Sequence, residues 1–253
     1  MPNLFLELQD QNASRQFSPA PVSNFDALQV LETAEITASS LIPWGSNYSF
    51  AVALEHETGT HLGIYKPRAG EAPLHDFLHG TLYLREIAAY RLSRMLEWNI
   101  VPPTVERDGP HGVGSLQLYV QPGSDLEDPE SFWGDTSLEN ERFVLFDHVA
   151  NNADRKLSHC LVDVIGRRWG IDHGLTFNEA PKLRTVMWQF SGERVSPELQ
   201  EQLAALLKAR PESEFAQLLT SSEREAFWRR VERMVEFECY PQLNPYRNIP
   251  YGW

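Results

Sequence analysis

The stretch Asn151–Phe177, NNADRKLSHCLVDVIGRRWGIDHGLTF, decides how this chain is read. Two short runs, Cys160–Ile165 and Arg168–Ile171, flank Gly166-Arg167. That pattern predicts a β-hairpin closed by a two-residue turn. One polar cluster, Asp154, Arg155, Lys156 and His159, precedes the first run; another, Asp172, His173 and Gly174, follows the second. A hairpin carries both clusters to one end of a small sheet. Two aspartates beside a lysine and two histidines suit a divalent cation held against phosphate oxygens.

The order D-R-x-x-x-H over Asp154–His159, a hairpin, then I-D-x-G over Ile171–Gly174 resembles the catalytic and metal-binding segments of the phosphatidylinositol 3- and 4-kinase-like superfamily. Within it, the chain resembles a branch of small bacterial kinase-like proteins. The resemblance spans roughly residues 42–177. It implies an α+β, two-lobed protein-kinase-like fold. Residues 1–120 would give an antiparallel sheet with one helix, and residues 121–253 a mainly helical lobe carrying the catalytic and metal-binding loops. It also implies ATP with Mg or Mn, and transfer of the γ-phosphate to an acceptor hydroxyl. Asp154 falls at the catalytic base position, Lys156 at a γ-phosphate contact, and His159 and Asp172 at metal positions. His159 departs from the pattern, because most kinases have Asn there. Imidazole suits manganese or zinc better than magnesium.

Upstream, Gly45-Ser46-Asn47-Tyr48-Ser49 resembles the phosphate-covering loop of that group, and its backbone N–H groups could approach phosphate oxygens. A plain hairpin opening explains the same residues. Phe50–Leu54 and His61–Tyr65 read as strands around the turn Glu57–Thr60. Lys66 ends the second, and a lysine there is ordinarily solvated. By resemblance Lys66 contacts the α/β-phosphates. Glu86, on a helix read over Thr81–Trp98, is its ion-pair partner; otherwise Glu86 is exposed and pairs with Tyr90 or Arg91. Val101–Glu106 and Val113–Val120 read as two more strands. By resemblance the second is the last strand of the small lobe, and backbone groups of Tyr119, Val120 and Gln121 would hydrogen-bond adenine. Leu116 and Leu118 line the base pocket or simply fill the core.

Met1–Val22 reads as a loosely docked polar tail, and 125–140 as an acidic surface excursion. Glu141–Ala150 reads as a helix seating the catalytic loop, with Asp147 and His148 as polar-face or supporting residues rather than chemistry. Helices are expected over Pro197–Lys208, Pro211–Leu219 and Ser221–Phe237.

The 253 residues carry a formal charge of −13, with basic residues scattered. That disfavours nucleic acid, and an anionic phosphoinositide, as partners. No apolar run reaches the ~18 residues of a membrane span, and the N-terminus lacks a signal-peptide pattern. Two cysteines, Cys160 and Cys239, fit a reducing cytoplasm. The acceptor, whether lipid, small molecule or protein, is not written in the residues. Two other classes compete: a nucleotide-binding pseudokinase scaffold, supported by His159 and the glycine-poor loop, and a metal hydrolase built on Asp154, His159, Asp172 and His173.

Overall fold

A computed structural model describes residues 24–43, 45–123, 132 and 134–252. The segment read as a polar tail, and residues 125–131 and Trp133 of the acidic excursion, lie outside the described residues. The described chain divides into two compact units, Met1–Ile87 with Pro102–Val120, and Ala88–Val101 with Gln121–Trp253.

The first unit is built on five antiparallel strands in the order β1-β2-β3-β5-β4. They are β1 (Glu35–Ile42), β2 (Ser49–His56), β3 (Gly59–Pro67), β4 (Thr104–Gly109) and β5 (Gly112–Leu118). β1 is an addition to the four strands read from sequence. Its EITASSLI has no clean alternation and stays half-exposed at the sheet edge. β2 and β3 turn through Glu57-Thr58, and Gly59 takes φ +122°, a value L side chains rarely adopt. One face of the sheet closes on helix α1 (Asn24–Thr33). Val30, Leu31, Val52, Leu54, Tyr65, Val105, Leu116 and Leu118 form that core. Leu116 and Leu118 are therefore core residues. Helix α2 (Leu82–Met95) begins in this unit and runs into the second.

The second unit is organised by helix α3 (Leu138–Ala150). It starts three residues before the expected position because Ser137 caps it, its side chain accepting from the Asn140 amide. Asn151 ends it in the left-handed region. Helix α5 (Ser221–Phe237) packs on α3 and on α4 (Pro197–Ala209). Thr220 and Glu223 close a capping box on α5. Phe177, Phe215, Phe227 and Trp228 interlock with ring centroids 4.7–6.4 Å apart. Between Pro211 and Leu219 the expected helix is replaced by one 3-10 turn, Glu212–Glu214, and further turns. There Phe215, Leu218 and Leu219 all enter the core.

The hairpin differs from expectation. β6 (Cys160–Val162) and β7 (Arg168–Gly170) are three residues each, joined by residues 163–167 rather than a two-residue turn. Asp163 causes this. Its Oδ1 accepts from the amides of Ile165 and Arg167, and its Oδ2 from the Trp169 indole. A side chain that caps its own loop competes with continued strand pairing. Val164 and Ile165 are left exposed at the tip. Both cysteines are free. Among the described residues, no helix is long and apolar enough to cross a membrane.

Candidate active site

In the first unit Lys66 lies at the end of β3, opposite Ser115 of β5. Its neighbour Tyr65 points into the core, so alternation turns Lys66 to the other face. β5 approaches closely only because residue 114 is glycine: a Cβ there would lie 2.3 Å from the Lys66 carbonyl oxygen. Lys66 Nζ forms an ion pair with Oε1 of Glu86, on the first half of α2. Glu86 is 2% exposed, so the reading of an exposed glutamate is excluded.

Gly45, Ser46 and Asn47 form a bend, with Gly45 at φ +105°. Asn47 Oδ1 accepts from the Ala72 amide at 2.8 Å, and the Tyr48 amide donates to Gly70 at 2.9 Å. Asn47 thus ties the loop to the segment before α2. Glu71 Oε1 accepts from the Tyr83 amide in the first turn of α2. The Tyr119 amide donates to Leu62 at 3.0 Å, which commits that N–H to the sheet. The carbonyl of Tyr119 and the backbone of Val120 stand beyond the last ladder pair.

In the second unit the loop after α3 folds back on Asp147. The Asn152 amide donates to the Asp147 carbonyl and its Nδ2 to Asp147 Oδ1, while the Asp154 amide donates to Asn152 Oδ1. Asp154 and Lys156 pair at 3.1 Å. His159 Nδ1 lies 2.8 Å from the Asp154 carbonyl oxygen. A carbonyl only accepts, so Nδ1 carries the proton. Nε2 then faces Asp172 Oδ2 at 3.4 Å. Burial holds His159 below the usual histidine range despite Asp172. The neutral ring therefore points a lone pair at a carboxylate, an arrangement that suits a cation between them. Asp172 sits at φ +60°, uncommon for a non-glycine residue. Burial also pushes the Asp154 carboxyl up, against Lys156 and His159 and with Asp172.

His173 is turned elsewhere: its Nε2 accepts from Arg155 Nη2 at 2.8 Å inside the core. Among the described residues no group of three or more His, Cys, Asp or Glu could hold a metal. The hydrolase reading, which needs His173 beside the other three, loses its support. Sequence reasoning gave no role to Arg155 or Asn152. Their signals were polarity between an apolar helix and a strand and, for Arg155, its place in D-R-x-x-x-H.

Comparisons with known proteins place this architecture. No protein-family model matches the chain. In solved structures the fold resembles hydra Fam20 with sugar, at TM-score 0.57 and 16% identity, covering 86% of this chain and 89% of that one. It also resembles the Golgi casein kinase with Mn/ADP bound, at TM-score 0.54 and 14% identity, covering 90% and 78%. The fold is thus kinase-like, of an atypical kind. Among curated proteins, the chain is 34% identical to Protein Rv2133c of Mycobacterium tuberculosis (strain ATCC 25618 / H37Rv), over 89% of this chain and 95% of that protein. The chain belongs to the family of Protein Rv2133c.

Proposed function

We propose that this protein is an ATP-dependent phosphotransferase that passes the γ-phosphate to an acceptor hydroxyl. The observation that carries the reading is the Lys66–Glu86 pair, a strand-end lysine held by a buried helix glutamate within a kinase-like fold. Phosphoryl transfer asks a protein mainly to hold phosphates, neutralise charge and orient the nucleophile. Lys66 would contact the α/β-phosphates, with the Gly45–Asn47 bend covering them. Tyr119 and Val120 would offer backbone groups to adenine. Asp154 would orient the acceptor hydroxyl and accept its proton, a task helped by burial raising its carboxyl pKa. Lys156 would meet charge on the transferred group.

His159 and Asp172 would hold the divalent ion, and their imidazole-plus-carboxylate donor set fits manganese at least as well as magnesium. Such an ion would neutralise the ATP phosphates. The Mn/ADP in the Golgi casein kinase supports this choice of cofactor. In this reading residues 1–120 serve the nucleotide, and 121–253 supply the base and metal ligands. The finer likeness to phosphatidylinositol 3- and 4-kinases rests on the Asp154–His159 and Ile171–Gly174 motifs. The −13 charge favours an acceptor other than an anionic lipid. A second reading, a nucleotide-binding scaffold without turnover, rests on His159 standing where most kinases have Asn.

Thermal unfolding with ATP and manganese tests the reading. ATP at about 100 times its Kd stabilises the native state by about 2.7 kcal/mol, seen as a rise in Tm. An unchanged Tm at millimolar ATP with either metal would remove both the kinase and the scaffold readings.

A further inference from the structure

We propose that Arg155 is a positioning residue whose guanidinium sets the separation of His159 and Asp172, and with it the affinity for metal-bound nucleotide. The proposal rests on the reading of those two residues as metal ligands.

A guanidinium has five N–H donors in a fixed planar fork. In Arg155 all five are engaged. Nε and Nη2 hold Asp147, at 3.0 Å to Oδ2 and 2.9 Å to Oδ1. The other Nη2 proton goes to His173 Nε2 at 2.8 Å. Nη1 reaches the carbonyl oxygens of His159 at 3.2 Å and Ile171 at 3.4 Å. Those three partners are His159 itself and the residues on either side of Asp172. One rigid plane therefore ties the backbone under one metal position to the backbone flanking the other. Its far side is anchored in α3 through Asp147, and Thr185 Oγ1 also reaches Asp147 Oδ2, at 3.4 Å.

The arrangement is built to be stiff. Arg155 and Asp147 are fully buried, so the pair has no water to exchange with. The Ile171 amide donates to the His159 carbonyl at 3.0 Å, closing a second link between the same two stretches. Gly170 leaves room for the fork: a Cβ there would come within 3.2 Å of Nη1. Asp172 meanwhile holds a left-handed backbone, which surrounding contacts must maintain. Groups that orient metal ligands from behind typically control metal affinity about 10- to 100-fold.

Calorimetric binding of ADP, alone and with manganese, tests this on the full-length protein without requiring turnover. Arg155→Lys keeps the charge beside Asp147 but loses the fork. It is expected to bind ADP alone within about twofold of wild type, and Mn–ADP about 10- to 100-fold more weakly, while still unfolding cooperatively. His173→Leu, which orphans one N–H, should weaken Mn–ADP, whereas His173→Gln, which keeps an acceptor, should restore most of it. Arg155→Lys that retains Mn–ADP affinity, or that weakens ADP and Mn–ADP alike, overturns the positioning role and leaves the metal reading standing. If Arg155→Lys does not fold, the His173 pair decides, and equal Mn–ADP affinity for Leu and Gln overturns the proposal. If His159→Ala and Asp172→Asn bind Mn–ADP as tightly as wild type, the metal reading itself fails and the positioning role falls with it.

Discussion

Lys66 and Asp172 each sit at or just beyond the end of a strand, but they are held in place by opposite means. Lys66 is the penultimate residue of a nine-residue strand in a five-stranded sheet whose inner face packs on α1 through aliphatic side chains and one tyrosine. Asp172 follows a three-residue strand paired with another of the same length. Such a hairpin has too little ladder and too little apolar surface to hold itself. Its geometry comes instead from Asp163 capping the loop and from the buried Arg155–Asp147 pair. An apolar scaffold spreads its energy over many contacts and yields gradually. A polar one concentrates it in a few bonds and fails when a single partner is lost.

Truncating the polar anchor should have the largest effect. Asp147→Ala leaves a buried guanidinium uncompensated and is expected to cost about 3–5 kcal/mol in urea unfolding. A cost below about 1 kcal/mol would dissolve the contrast between the two regions. In the sheet, Leu54→Ala should cost about 2–5 kcal/mol through lost burial and a cavity. It should leave Mn–ADP affinity of the folded protein unchanged; a tenfold loss would show that the two regions are not separable in this way.

A smaller effect is tied to pH. His148 on α3 lies against Tyr240, and burial lowers its pKa to about 4. The unfolded chain takes up that proton near the ordinary value of about 6.5, whereas the native state resists it. Stability from this group is therefore complete above pH ~6.5 and is lost as pH falls toward 4. The loss amounts to roughly 3 kcal/mol. His148→Gln should flatten the wild-type slope in unfolding measurements over that window, and an unchanged slope would clear His148. The smallest effect belongs to the hairpin tip: Ile165→Ser, at an exposed position, should shift stability by less than about 0.5 kcal/mol.

The same contrast explains what was legible in the sequence. Strands β2, β3 and β5 announced themselves because β-branched and apolar runs bounded by turn residues are a local signal. α5 did so through Thr220 and Glu223. β1 was missed because an edge strand with both faces half-wet keeps no period. The hairpin was read too long because Asp163 acts through its side chain, against the strand propensity of Val164 and Ile165. Lys66 and Glu86 are 20 positions apart, and only a motif order linked them before the fold did. Arg155 was quoted within a motif but given no work. Nothing local marks an arginine as buried: one partner is a backbone carbonyl 4 residues ahead, and the others lie 8 residues back and 16 and 18 residues ahead.

The central claim, phosphotransfer with Asp154 as base and Asp172 as metal ligand, is tested most directly by a paired measurement. Calorimetric ATP–manganese affinity and ATP turnover would be taken for wild type, Asp154→Asn and Asp172→Asn. Asp154→Asn should keep the affinity, because the base acts on the acceptor and the transition state, while turnover falls about 10²–10⁴-fold. Asp172→Asn should weaken metal-bound ATP and lower turnover together, because a charged ligand next to the phosphates is lost. Turnover that survives Asp154→Asn would contradict the account, as would a wild type that binds ATP but shows no turnover above that variant across a broad acceptor panel.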